Sequence, residues 1–279
     1  MSTVLSGKEL AASIRAGVAA DAAALTARGV TPTLAIVTAT DDGGSAWYVS
    51  SIVKAAAKVG IEATVVDLLA TPERLTDELR RLGADPSVHG TILQTPLPGG
   101  ASLEELAGAI PPAKDVDGAS PESLGRLVAG LPAFAPATAA AVLALLDHHG
   151  VDLEGRHAVV IGRSTVVGKP AAHLLLDRHA TVTVCHSRTV DLPAIAATGD
   201  VLVAAVGRPR LVTAEFVKPG ATVIDVGTND TSDGLVGDVD ADSVADRAGG
   251  LSPVPGGVGP VTTALLLRHT VDAATATVA

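Results

Sequence analysis

The sequence predicts an α/β fold in two lobes, one of them a Rossmann-type nucleotide-binding lobe with a parallel sheet. Three observations lead there. Short runs of Val, Ile and Thr alternate with Ala-rich stretches of helical spacing. This rhythm stops at a segment dense in Pro and Gly and then restarts. In the second series a glycine turn stands between a strand and an apolar helix. Repeated βα units imply a mostly parallel sheet covered by helices.

Taken in order, the pattern predicts a helix over 7–28, a strand over 33–38, a helix over 44–59 and a strand over 61–67. A helix over 71–83 and a strand over 90–94 follow. Residues 95–136 carry Pro96, Pro98, Gly99, Gly100, Pro111, Pro112, Pro132 and Pro136, and read as a crossing between lobes. A helix over 137–149 bridges them. Strands are then expected at 157–161, 180–185, 200–206 and 221–226, with a helix at 171–178. Leu251 to Pro260 is too rigid and glycine-rich for helix or strand. An apolar helix over 261–270 precedes a small-residue tail expected to fray. The lobes divide as 1–136, joined by the C-terminal helix 258–279, and 137–257.

With 279 residues, 47% of them hydrophobic, the chain can bury a substantial core. Trp47, Tyr48, Phe134 and Phe216 are its only aromatic residues of the Phe, Trp and Tyr types, so that core is Ala, Val and Leu. A net charge of −10 and no Lys/Arg cluster argue against nucleic acid as a partner. The single Cys185 allows no intrachain disulfide. The N-terminus lacks a leader pattern, and no apolar stretch reaches the roughly 18 residues of a membrane span. A cytoplasmic protein without membrane attachment is expected. The eight histidines are scattered and no metal site is expected. His148-His149 reads as a pair at a helix C-terminus, facing the negative end of its dipole.

After the strand 157–161 comes Gly162-Arg163-Ser164-Thr165-Val166-Val167-Gly168-Lys169-Pro170. Gly162 allows a tight turn and a close approach to a pyrophosphate, and the helix start offers free N–H groups. The spacing differs from G-x-G-x-x-G, and an ordinary β–α turn suits this segment alone equally well. Pro170 stands where a Walker loop needs Ser or Thr. The next strand ends in Cys185-His186-Ser187-Arg188-Thr189, without the carboxylate that binds the ribose hydroxyls of NAD. Arg188, with Arg163, favours the 2′-phosphate of NADP. Arg188 as a solvated loop residue is the alternative.

Several strings occur in one order: Ser45-Ala46-Trp47-Tyr48-Val49, Leu93-Gln94-Thr95-Pro96-Leu97-Pro98, Lys114-Asp115-Val116-Asp117-Gly118 and Gly162-Arg163-Ser164. Val223 to Asn229, Val236 to Val239 and Pro253 to Thr262 complete the set. Together they resemble the bifunctional methylenetetrahydrofolate dehydrogenase/methenyltetrahydrofolate cyclohydrolase family over nearly the whole chain. The resemblance implies a folate in a cleft between lobes, NADP as cofactor, and a homodimer formed through the cofactor lobe. It implies that Tyr48 stacks on the substrate, that Asp117 accepts hydrogen bonds from the pterin, and that Gln94 positions the one-carbon bridge. Gly257 and Val258 would line the cleft floor, and Ser164, Ser187 and Thr228 would contact cofactor.

The sequence departs from the family where its tyrosine is followed, four residues on, by a lysine: that place is Ile52. Lys54 lies about 240° round a helix from Tyr48 and should point elsewhere. Oxidising methylene- to methenyl-tetrahydrofolate needs a hydride held close to its acceptor in a dry site. Hydrolysing the methenyl cation moves protons and calls for a general acid/base. Isoleucine supplies none. The expectation is a dehydrogenase with weak or absent cyclohydrolase activity. Two alternatives stand beside it: an ordinary bifunctional enzyme in which Ser50, Ser51 or a water replaces the lysine, and a catalytically silent folate/NADP-binding paralogue. Thr38-Ala39-Thr40, Gly43-Gly44, Thr95 and the Pro136-Ala137-Thr138-Ala139 string also depart from the usual pattern. They fit either a specialised paralogue or drift.

Overall fold

The computed structural model describes residues 2–232 and 234–278. Its strands, in chain order, are β1 (Thr3–Val4), β2 (Thr33–Thr38), β3 (Glu62–Asp67), β4 (Gly90–Leu93), β5 (His157–Ile161), β6 (Thr181–Cys185), β7 (Val201–Ala204), β8 (Thr222–Asp225), β9 (Asn229–Thr231), β10 (Gly234–Val236) and β11 (Gly250–Leu251). Its helices are α1 (Lys8–Ala27), α2 (Gly43–Lys58), α3 (Leu75–Ala84), α4 (Leu103–Ala107), α5 (Pro121–Val128), α6 (Ala137–His148), α7 (Gly168–Asp177), α8 (Leu192–Ala196), α9 (Ala241–Val244) and α10 (Val258–Ala276). The chain forms two compact units. One comprises the residues up to Ala11 with Thr138–Thr262, the other Ala12–Ala137 with Thr263 onward.

The second of these holds a three-stranded parallel sheet in the order β3-β2-β4. β2 is central and buried on both faces, which is why Leu34, Ala35, Ile36 and Val37 are consecutively apolar. Its core joins Leu34, Ile36 and Ile92 to Val18, Ala22 and Leu25 of α1, to Val49, Ile52 and Ala56 of α2, and to Leu266, Leu267 and Val271 of α10. α2 is started by Asp42, whose carboxylate accepts the Ser45 N–H at 2.7 Å.

The other unit holds a six-stranded sheet, parallel throughout, in the order β1-β11-β8-β7-β5-β6. From β5 the chain steps outward to β6, then crosses back to place β7 on the opposite side of β5. Strand order therefore reverses at β5, and the crevice at the carboxyl ends of β5 and β7 is where such sheets take their ligands.

Several expectations need correction. Residues 2–11 group with the six-stranded unit, because β1 pairs with β11 at its edge and the Gly7 N–H reaches the Gly256 carbonyl. The 71–83 helix begins as a 3-10 turn, Pro72–Arg74, before α3. The 95–136 crossing contains α4 and α5. Pro121, not among the prolines named above, is the first residue of α5, where a missing N–H costs nothing, and Ser120 caps the Ser123 N–H. The 251–260 string is not wholly irregular: Leu251 belongs to β11, and α10 starts at Val258 with Pro260 in its first turn. The tail expected to fray is helical to Ala276, with Val271, Ala273 and Ala274 buried. By length and composition α1 is apolar enough to cross a membrane, contrary to the sequence reading. Its alanines raise the average, but Val18, Ala22 and Leu25 face the core and Asp21 pairs with Arg268.

Candidate active site

In the three-stranded unit, the polar groups gather at the start of α2 and the ends of β4 and the 114–118 turn. The Ser45 hydroxyl donates to the Thr95 carbonyl at 2.7 Å, which fastens the first turn of α2 to the segment after β4. Gln94 donates its side-chain amide to the same carbonyl at 2.8 Å, while its main-chain N–H continues the ladder to Val37. The Thr95–Pro96 peptide is cis.

The two carboxylates of Lys114-Asp115-Val116-Asp117-Gly118 have separate duties. Asp115 is fully buried and accepts the N–H groups of Ala119 and Ser120 and the Ser123 hydroxyl, at 3.0, 2.9 and 2.6 Å. It is a scaffold for the turn into α5. Asp117 is half-buried, and the Ala137 N–H is the donor that favours its charge. Burial and the nearby Asp115 charge push its carboxyl up to about 7. Tyr48, packed on the core, lies within electrostatic reach of Asp117. Burial and that charge raise its phenol further above the usual range, against a hydrogen bond with Thr263. Tyr48 is therefore a neutral ring at any physiological pH. The structure brings Tyr48 and Asp117 together. Thr263 and Asp115 were missed, although both lie within or beside quoted strings.

In the six-stranded unit, Gly162 follows β5 at φ 130°, and a Cβ there would overlap the Ala205 carbonyl beyond β7. At Gly168 a Cβ would overlap the Gly162 carbonyl. The Ser164 hydroxyl accepts from the Val167 N–H at 3.2 Å and so shapes the entry into α7. Arg163, Ser164, Ser187, Arg188 and Thr228 are all exposed. The Arg188 N–H donates to His186 Nδ1 at 3.2 Å, which fixes its main chain beyond β6. A glycine turn at the point of strand reversal, a helix start and exposed hydroxyls and guanidinium groups fit a phosphorylated dinucleotide. Gly257 and Val258 also lie in this unit, buried, with Gly257 packed under Pro253 and Ser252.

A family model described as the catalytic domain of tetrahydrofolate dehydrogenase/cyclohydrolase matches residues 5–117, and one described as its NAD(P)-binding domain matches 136–278. The chain belongs to the tetrahydrofolate dehydrogenase/cyclohydrolase family. It is 66% identical over 273 residues to the bifunctional protein FolD 1 of Saccharopolyspora erythraea, spanning 97% of this chain and 93% of that one. It matches the structure of the bifunctional FolD dehydrogenase/cyclohydrolase of Campylobacter jejuni with a TM-score of 0.94 at 38% identity, over 99% of this chain and all of that one. The Trypanosoma brucei FolD, solved with NADP cofactor and an inhibitor, matches with a TM-score of 0.92 at 37% identity, over 99% of this chain and 98% of that one.

In this tetrahydrofolate dehydrogenase/cyclohydrolase chain, Ile52 is completely buried in the core of its unit. Two lysines and a serine from the same unit are placed as follows. Lys54 is exposed. Lys114 donates to the Asp85 and Leu82 carbonyls at 2.5 and 3.4 Å and so closes the end of α3. The Ser51 hydroxyl donates back to the Tyr48 carbonyl at 2.7 Å.

Proposed function

We propose that this chain oxidises 5,10-methylenetetrahydrofolate to 5,10-methenyltetrahydrofolate, with NADP+ as hydride acceptor, and that its cyclohydrolase half-reaction is weak or lost. The observation that carries this is Ile52, an aliphatic side chain sealed in the core one helical turn beyond Tyr48.

Tyr48 offers a neutral aromatic face for the folate. Asp117 is the carboxylate that accepts pterin N–H groups, and Gln94 orients the bridge carbon. NADP supplies the hydride-accepting ring when bound. Gly162, Ser164, Ser187 and Thr228 hold its phosphates and riboses, while Arg163 and Arg188 recognise the 2′-phosphate. The T. brucei relative solved with NADP supports that preference. These residues bind and orient, which suffices for hydride transfer. Hydrolysis of the methenyl cation needs a group that gives and takes protons, and neither Ile52 nor Ser51, whose proton is spent within α2, is one. A homodimer is expected, as in other members of the family.

A second reading is the fully bifunctional enzyme, favoured by the name of the 66%-identical relative. Single-turnover assays of both half-reactions separate the two. The proposal expects NADPH formation from methylenetetrahydrofolate and hydrolysis of methenyltetrahydrofolate at the buffer rate. Rapid enzymatic hydrolysis favours the second reading. No NADPH despite binding of both ligands marks a silent paralogue.

A further inference from the structure

Two carboxylates beside the nucleotide crevice have no part in the reading above. Asp225 ends β8 and Asp238 follows β10, and both are buried. Asp225 accepts the N–H groups of Gly227 and Asp238 on one oxygen, at 2.9 Å each, and of Val239 on the other at 3.0 Å. Asp238 accepts the N–H groups of Val206 and Gly207 on one oxygen, at 2.6 and 3.0 Å. Its other oxygen takes the Arg208 N–H and the Asn229 side-chain amide, at 2.9 Å each.

The pair is locked by close packing. A Cβ at Gly237 would overlap the Asp225 carboxylate, and one at Gly227 would overlap Asp238. The β9–β10 hairpin, pairing Asn229 with Val236, returns the chain so that Asp238 enters between the segments following β7 and β8. The Asp238 carbonyl is further tied to the Val212 N–H at 2.9 Å. Burial and the Asp238 charge push the Asp225 carboxyl up to about 6, opposed by its three N–H donors.

We propose that Asp238, braced by Asp225, is a positioning residue for the nicotinamide half of the dinucleotide, through the loops 205–208 and 227–229. Strand order carries the argument. β6, whose tail holds Ser187 and Arg188, lies on one side of β5, and β7 and β8 lie on the other. A dinucleotide bridging the reversal at Gly162 puts its adenosine half over β6 and its other half over the ends of β7 and β8. One carboxylate cross-links those two ends. Asp238 sets their spacing, and the Ala205 carbonyl that abuts Gly162 begins one of the loops. Four N–H donors converge on the Asp238 carboxylate at 2.6 to 3.0 Å and make it a stiff brace.

The inference rests on the dinucleotide reading, and the test separates the two. Calorimetric titration of the full chain with NADP+ and with adenosine 2′,5′-bisphosphate compares the whole ligand with its adenosine half. Asp238→Asn puts an amide donor against N–H donors. It is expected to weaken NADP+ at least about tenfold and the bisphosphate by less than about twofold. Asn229→Ala, which removes one donor from the same carboxylate, should show a smaller loss with the same bias and keeps the test open if Asp238→Asn fails to fold. An equal loss for both ligands, or no loss in either folded variant, overturns the proposal. Wild-type protein that binds neither ligand removes the dinucleotide reading, and this inference with it.

Discussion

Ile52 stands one helical turn after Tyr48 on α2, and the two side chains pack into the same core cluster, Ile52 wholly and Tyr48 in part. A lysine at 52 would therefore start from a buried Cα and run its stem along the core toward the phenol. Burying that stem is tolerable, but the ammonium must find water or a partner. Ile52→Lys is expected to raise methenyltetrahydrofolate hydrolysis by about 10²–10⁴-fold, the usual yield of a positioned acid/base. Its melting temperature should fall by roughly 2–4 °C for each kcal/mol of burial cost. Ile52→Met, similar in bulk and without an amine, controls for repacking. Hydrolysis unchanged in a folded Ile52→Lys protein with intact dehydrogenase activity would show that position 52 is not what limits the second half-reaction.

Asp117 couples pH to stability and, on the reading proposed above, to folate binding. Its carboxyl is raised from 3.8 to about 7 by burial and by Asp115. A raised carboxyl favours the fold in its neutral form. That contribution is complete below about 3.8 and disappears as pH rises through about 7. Asp117→Asn should therefore raise the melting temperature more at pH 8 than at pH 5. Folate binding should move the other way, since only the ionised form offers both oxygens as acceptors to a pair of N–H donors, without an O–H of its own. Wild-type affinity should improve as pH rises through about 7, and the variant should lose both affinity and that pH dependence. Equal thermal shifts at the two pH values would refute the assignment.

The βα rhythm was legible because β2, β4, β5 and β7 are buried runs bounded by turns, and each was expected within a residue or two of its place. Short elements escaped, such as the local β9–β10 hairpin, and so did strands held by partners distant in sequence. β1 and β11 are two residues each and exist only because they pair with one another and with β8. The Tyr48, Gln94 and Asp117 strings were legible as motifs, since the chemistry of a motif travels with its residue types. Burial was not. Nothing in Lys-Asp-Val-Asp-Gly says that Asp115 is consumed by Ala119, Ser120 and Ser123 while Asp117 keeps acceptor capacity. The Asp225–Asp238 brace was likewise invisible, because it depends on a hairpin returning thirteen residues of chain to one spot.

Gly162 combines two constraints, a φ of 130° and a main-chain neighbour in contact. Gly99 has only the first, at φ 61° with open space around it. Gly162→Ala should cost more than about 1 kcal/mol and abolish NADP+ binding, because the β5 turn must move off Ala205. Gly99→Ala should cost less and leave NADP+ binding as it was. Thermal melts and calorimetry read both. A Gly162→Ala protein with native melting and affinity would mean that the turn is not clamped.

Arg188 follows β6 where NAD-dependent folds place a carboxylate, and its guanidinium is exposed. A guanidinium matches the 2′-phosphate with paired hydrogen bonds, and a phosphate left unpaired in the same place is penalised. Arg188→Ala should raise the KM for NADP+ at least about tenfold while leaving that for NAD+ within about twofold. Arg188→Lys keeps the charge without the fork and should fall between. High salt should shrink the NADP+ effect, since exposed charges are screened over about 8 Å at physiological ionic strength. If Arg188→Ala changed neither constant, recognition of the 2′-phosphate would pass to Arg163, and Arg163→Ala would then carry the whole discrimination.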